Sequence, residues 1–423
     1  MIRRREFLLS TAGSLAFPMV VRSQAAAPAK RKPRIAFLGT IVQKHSHAQH
    51  FLDRMTVGYT WGGRWQSPRV EVASVYVEQF PGEKDLARPR IQRHDLQSFP
   101  SISEALTLGG NKLAVDGVVL IGEHGEYPSN ELGQKLYPRY QWFKEIVKVF
   151  EASGRSVPVF NDKHLSTSWD ECVEMVADSR RLDFPFLAGS SLPVTWRLPS
   201  LDMPFDAPLR ESVCVAYGGV DSYDFHALET AQCMSERRRG GEVGIRSVHA
   251  VRDGDLWKLL DQKEHGVTRE LMIAALNRSH NLPVEGGFPT GRVTYDWIKR
   301  ALPKTLAYFI EHLDGFRTTI FLTGIRDFNY AGRLDSGKTV SCQMYLPMPN
   351  SGSTTADFFN PLTRHIEDTM IARRTPYPIE RTLLTSGMVI GGVKSIQAGY
   401  TPFKTPEMRV KYQGPKKSQY WRV

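Results

Sequence analysis

The 423 residues carry 41% apolar and 10% aromatic side chains, enough for ordinary packed cores in two domains, which excludes a disordered chain. The formal charge is +11, but lysines and arginines are interspersed with acids, and only Arg237-Arg238-Arg239 and Lys416-Lys417 cluster. No basic stripe is present to track a phosphate backbone, so nucleic acid is excluded as a partner and the excess reads as general surface charge.

The chain opens on Arg3-Arg4-Arg5-Glu6-Phe7-Leu8-Leu9, followed by an apolar run to Val21 and the small-residue stretch Ala25-Ala26-Ala27 that suits a signal peptidase. That run is about 15 residues, short of the roughly 20 that cross a bilayer, and Gly13 and Pro18 interrupt it. Residues 1–27 are therefore expected to be a twin-arginine signal peptide, cut near Ala25 to Ala27 by the export machinery's route for folded proteins. The mature protein is expected to be periplasmic or extracellular, with no permanent membrane anchor. Removing residues 1–25 takes away four arginines and one glutamate, so the formal charge falls from +11 to +8.

Residues 28–33 read as a linker. Arg34 to Gly39 is a short apolar run ending in glycine, the pattern of a buried parallel strand. A helix follows from Ala48 to Val57, a strand from Val70 to Val77, a short helix from Ser103 to Leu108 and a buried strand from Val115 to Gly122. Tyr140 to Ala152 has helical spacing, Val157 to Phe160 is a strand, Ser168 caps a helix carrying Cys172 and Val176, and Phe184 to Ala188 is a strand. This alternation predicts a parallel, doubly wound α/β domain over 34–190, with ligands beyond the carboxyl ends of its strands. From 191 the segments lengthen and gain β character (Ser212 to Tyr217, Gly241 to Val251, Thr305 to Leu313, Thr318 to Leu322, Thr339 to Leu346), which predicts a second, α+β domain to 365. Asn350 to Thr355 reads as a loop. Cys172, Cys214, Cys233 and Cys342 are too few and too dispersed for a disulfide framework, and they read as buried thiols.

Three segments resemble the glucose-fructose oxidoreductase, inositol dehydrogenase and MocA family. Ser156-Val-Pro-Val-Phe-Asn-Asp-Lys-His-Leu-Ser-Thr-Ser168 is similar to that family's strand ending in Glu-Lys-Pro, its lysine falling on Lys163. Gly218-Gly-Val-Asp-Ser-Tyr-Asp-Phe-His-Ala-Leu-Glu229 is similar to its glycine pair before a helix with a His-x-x-Asp step, the histidine falling on His226. Ile371 to Gly399 resembles its closing helix pair. The sequence departs from the pattern where the first strand runs into Gly39-Thr-Ile-Val-Gln-Lys-His-Ser-His47 without Gly-x-Gly-x-x-Gly, where Asp162-Lys163-His164 replaces Glu-Lys-Pro, and where Ser222 stands four residues before His226.

The resemblance implies a Rossmann-like parallel sheet, a C-terminal domain with a large open, mainly antiparallel sheet, and C-terminal helices and tail (366–423) packing back on the first domain. It implies an oxidoreductase that moves a hydride between NAD or NADP and a carbohydrate or polyol, often as a homo-oligomer. Lys163 and His226 would move the proton, each near neutral pKa, with Asp162 orienting the lysine. Gly39, Thr40, Glu78, Glu123 and His124 would meet the cofactor, Glu78 at the ribose leaning the choice towards NAD, and His164, Asp221 and Asp224 the substrate. Tight cofactor retention would fit folded export.

Two readings from other classes stand beside it. A chain that kept the architecture and lost the phosphate loop would be a non-catalytic carbohydrate-binding protein, a role that loop aromatics such as Tyr59, Trp61, Trp65, Tyr127 and Trp196 could serve. A cluster of His45, His47 and His124 could instead hold a metal for a hydrolase or lyase.

Overall fold

The computed structural model describes residues 31–289, 291–347 and 355–422. The signal segment and most of the Asn350 to Thr355 loop lie outside the described residues. Lys32 to Val423 forms one compact unit.

The first half builds a five-stranded sheet from β1 (Arg34–Ile41), β2 (Glu71–Gln79), β3 (Gly117–Ile121), β4 (Val159–Asp162) and β5 (Phe186–Gly189). All four pairings are parallel, in the order β2-β1-β3-β4-β5. A lone parallel bridge from Val75 to Ser98 adds a vestigial strand beyond β2, which yields the Rossmann order with its reversal between β1 and β3. The strands are buried on both faces, as near-continuous runs such as Gly117-Val-Val-Leu-Ile121 require. Three helices position the crevice: α1 (His47–Thr56), α2 (Arg139–Ser153) and α3 (Trp169–Arg181). Ser46 caps α1 by accepting a hydrogen bond from the Gln49 amide. Ser168 precedes α3 as expected, but its side chain makes no capping bond; Ser166 bonds Glu171 in the first turn instead.

The second half folds β6 (Leu209–Tyr217), α4 (Tyr223–Ser235), β7 (Ile245–Arg252), β8 (Leu306–His312), β9 (Arg317–Thr323), β10 (Phe328–Leu334) and β11 (Thr339–Met344). These strands lie in the order β7-β8-β9-β6-β10-β11, with two-residue strands at Phe403–Lys404 and Arg197–Leu198 on the edges. Every pairing is antiparallel except β9 with β6, so the expected mainly antiparallel sheet is present. The closing pair is α5 (Asn360–Ala372) and α6 (Glu380–Gln397). One hydrophobic cluster runs through both sheets, from Leu38 and Val118 through Phe225 and Leu228 of α4 and Leu384 and Met388 of α6 to Ala250 and Tyr308.

All four cysteines are buried free thiols. The arginine triplet corrects the reading of surface charge: Arg237 and Arg238 are buried, and Arg238 is paired with Glu242 and Asp314. Burying a guanidinium requires such partners, because removing it from water costs several kcal/mol.

Candidate active site

The carboxyl ends of β1, β3 and β4 come together where the strand order reverses, and α4 of the second sheet packs against them, with Phe225 beside His164 and Glu229 bonded to Ser190, so that Glu123, Asp162, Lys163 and His226 are all buried. Lys163 follows β4 with φ of 64°, and its amide donates to Gly189 at 3.1 Å. His45 (66°), His124 (66°) and Asp221 (57°) share this left-handed conformation. Non-glycine residues there cost about 1–3 kcal/mol each and cluster at functional sites.

Lys163 Nζ donates to Glu123 Oε1 at 2.6 Å, and Arg139 Nη2 donates to Glu123 Oε2 at 3.0 Å. The three side chains are almost wholly buried. Burial alone would protonate Glu123, but the charges of Lys163, His47 and Arg139 hold it well below the usual carboxylate range. Burial would likewise neutralise Lys163, yet Glu123 and Asp162 outweigh it and raise the ammonium above the ordinary lysine value. His226 shares this environment; burial, then Lys163 and His47, push its imidazole well below 6.5. The expectation that both groups sit near neutral is therefore corrected in opposite directions: the lysine is charged and the histidine neutral.

Asp162 is the second correction. Its Oδ2 accepts from His47 Nδ1 at 2.7 Å, so it orients a histidine, while Glu123 grips the lysine. His47 is the first residue of α1, and its ring lies 5.9 Å from His124, whose pKa burial lowers to about 4. His164 accepts from Arg139 Nη1 at 3.1 Å and is held neutral by burial and by that arginine. Asp221 approaches His164 at 3.9 Å and accepts from Gln134 and the Lys135 amide. Asp224, expected at the substrate, is instead buried at the start of α4, accepting from the Asp221, Ser222 and Phe225 amides and Tyr308.

Gly39 lets β1 approach α1, since an added Cβ would meet Phe37 at 3.3 Å and Ala48 at 3.5 Å. Thr40 donates to the Glu123 carbonyl at 2.6 Å, tying the ends of β1 and β3 together. Glu78, at the end of β2, accepts from the Tyr127 hydroxyl. The histidine cluster does not assemble: His45 faces His50 at 6.2 Å, and among the described residues no group of three His, Cys, Asp or Glu side chains is placed to hold a metal ion.

Sequence reasoning missed Arg139, which follows Pro138 at the start of α2 with no local signal, and the His47–Asp162 pair. It also missed Glu229 of α4, which accepts from the Ser190 amide and whose pKa burial raises to about 7. Buried atoms without partners gather here: Asp162 Oδ1, His164 Nδ1, His226 Nδ1 and Glu229 Oε1. Such orphans are uncommon in folded proteins and mark a place where water or a ligand completes the bonding.

No protein-family model matches the chain, and no curated protein does. Solved structures do. The myo-inositol dehydrogenase of Lactobacillus casei, in complex with NAD(H) and myo-inositol, aligns over 89% of this chain and 97% of its own, with TM-score 0.55 and 10% identity. GenD2 from gentamicin A biosynthesis, in complex with NAD, aligns over 88% and 96%, with TM-score 0.53 and 10% identity. The apo scyllo-inositol dehydrogenase of Lactobacillus casei aligns over 88% and 98%, with TM-score 0.52 and 8% identity. At such identities the likeness speaks to architecture, and the chain has the fold of the glucose-fructose oxidoreductase, inositol dehydrogenase and MocA type of dehydrogenase.

Proposed function

We propose that this chain is an exported, NAD-dependent oxidoreductase acting on a hydroxyl of a sugar or polyol. The observation that carries this reading is the Lys163 ammonium, held at the end of β4 by Glu123 and sharing one buried environment with the neutral His226. Solved neighbours of the same fold that hold NAD support the cofactor.

The residues present fit the two ends of a dinucleotide. Glu78 at the end of β2 suits ribose hydroxyls, and the orphaned atoms beside Lys163 suit a nicotinamide and its substrate. Between them the loop into α1 lacks the paired glycines, and the side chains of Ser46 and Gln49 already take up the Gln43, His45 and Gln49 amides. When bound, the nicotinamide would take the hydride from the alcohol carbon. Lys163 would donate a hydrogen bond to the substrate oxygen and stabilise the negative charge that develops there. His226, being neutral, can receive the hydroxyl proton. Arg139 and Glu123 hold the lysine in place, and Asp162 holds His47.

Native protein denatured after purification is expected to release NAD(H) in amounts comparable to the protein, and Lys163→Met to slow polyol-dependent reduction of the nucleotide by about 10²-fold or more. The capped amides of α1 favour one second reading, a carbohydrate-binding protein without turnover; bound sugar with no released or added nucleotide consumed would establish it instead. Replacing Arg3 and Arg4 with lysines should leave the protein in the cytoplasm.

A further inference from the structure

A groove of about 470 Å³ runs beside α1, lined by that helix, the hairpin of Tyr59–Trp61 and Arg64–Gln66, the helix Ala87–Arg93 and Asn360 of α5. Its volume falls among those of small-molecule sites, roughly 300–1,000 Å³. None of Glu123, Asp162, Lys163 or His226 lines it.

The lining is electropositive. Lys44, Arg54, Arg90 and Arg93 face a single carboxylate, Asp53, which Arg90 already holds through both oxygens at 2.5 and 2.8 Å. Arg54 is 7% exposed and donates only to the carbonyls of His50, Thr355 and Ala356 and to Asn360 Oδ1. No carboxylate among the described residues hydrogen-bonds it; burial, the larger effect, lowers its pKa to about 10, and Asp53 and Asp357 offset part of that desolvation from a distance. A buried guanidinium whose direct acceptors are all neutral is unusual, because a carboxylate in contact normally offsets its desolvation. Arg93 is exposed and makes no hydrogen bond or ion pair among the described residues.

The groove also carries an aromatic platform. Trp65 is 61% exposed, and Gly58, with φ of 107°, leaves its indole room: an added Cβ would lie 3.0 Å from Nε1. A large exposed indole within a cationic groove matches a ligand with an apolar ring face and an anionic substituent.

We propose that this groove is a second binding site, separate from the crevice, for an acidic saccharide whose pyranose face rests on Trp65 and whose anionic group meets Arg93 and Arg54. The anion is a carboxylate, as in a uronate, or a phosphate or sulfate ester, all read by the same guanidinium chemistry.

Titration calorimetry on the mature protein with digalacturonate, glucose 6-phosphate, neutral cellobiose and inorganic sulfate tests it at constant ionic strength. One or both acidic sugars should bind saturably, the tighter one identifying the anion, and cellobiose should bind at least about tenfold more weakly, the factor that one charge-assisted contact supplies. Arg93→Glu should weaken the acidic sugar by about tenfold or more. Trp65→Ala should weaken the sugar several-fold and leave sulfate unchanged. Both side chains are exposed, so the variants should keep the wild-type melting temperature and nucleotide content. Equal binding of cellobiose, equal binding by the variants, sulfate binding as tight as the sugar's, or displacement of the sugar by NAD or NADP would each overturn the assignment. Displacement would make the groove part of the nucleotide's own seat and leave the proposed reaction standing, whereas absence of released nucleotide alone would remove that reaction and leave this site.

Discussion

At the scale of single residues, the protonation states around Glu123 decide what the crevice can do. Lys163 keeps its proton because Glu123 and Asp162 outweigh its desolvation, so Lys163→Met should reduce kcat by about 10²–10⁴, the usual span for losing a group that stabilises developing charge. Glu123→Gln removes the largest charge that keeps the lysine protonated. Burial then dominates, the lysine pKa falls, and the kcat profile of the variant should lose activity at a lower pH on its alkaline side than that of the wild type. Glu229 makes the opposite case, a carboxyl raised to about 7 by burial. The fold retains that proton up to about pH 7, whereas the unfolded chain releases it near 4.3. Stability is therefore lost as pH rises between these values, by about 4 kcal/mol for this group. Glu229→Gln can still accept from the Ser190 amide and carries no such loss, so its melting temperature relative to wild type should rise between pH 5 and pH 8.

At the scale of elements, local pattern and close packing contribute differently. The expected strands of the first sheet fall within a few residues of those observed, because buried parallel strands leave apolar runs that need no partner to be recognised. β10 (Phe328-Asn-Tyr-Ala-Gly-Arg-Leu334) went unread, since its polar and small residues break any alternation and only its pairing with β6 and β11 makes it a strand. The helices Asp253–Leu260, Gly266–Leu276 and Tyr295–Ala301 fall between Val251 and Thr305, where no element was expected although the second domain was read as α+β. Within α6, Gly392 is placed by packing: an added Cβ would lie 2.5 Å from the Tyr308 ring. Alanine there gains about 1 kcal/mol of helix propensity but overpacks by about 1–3 kcal/mol. Gly392→Ala should therefore destabilise the protein slightly, by about 1 kcal/mol, in chemical denaturation. Ser46→Ala should cost a similar amount, about 1 kcal/mol, through loss of the α1 cap.

At the scale of the whole molecule, the two sheets share one apolar cluster joined through α4 and α6. Calorimetry of the mature protein should accordingly show a single transition whose calorimetric and van't Hoff enthalpies agree; two resolved transitions would show that the sheets hold separate cores. The order of strands and helices in the first sheet, and the placing of Lys163 at a strand end and His226 on a helix, could be read from residue periodicity and a resemblance carried by short segments. Which carboxylate grips the lysine could not: Glu123 lies 40 residues away and the adjacent Asp162 turns to His47, 115 residues away. Periodicity reports which face a residue occupies, but ion pairing and burial depend on distances between residues far apart in the chain, and only the packed tertiary structure sets those distances.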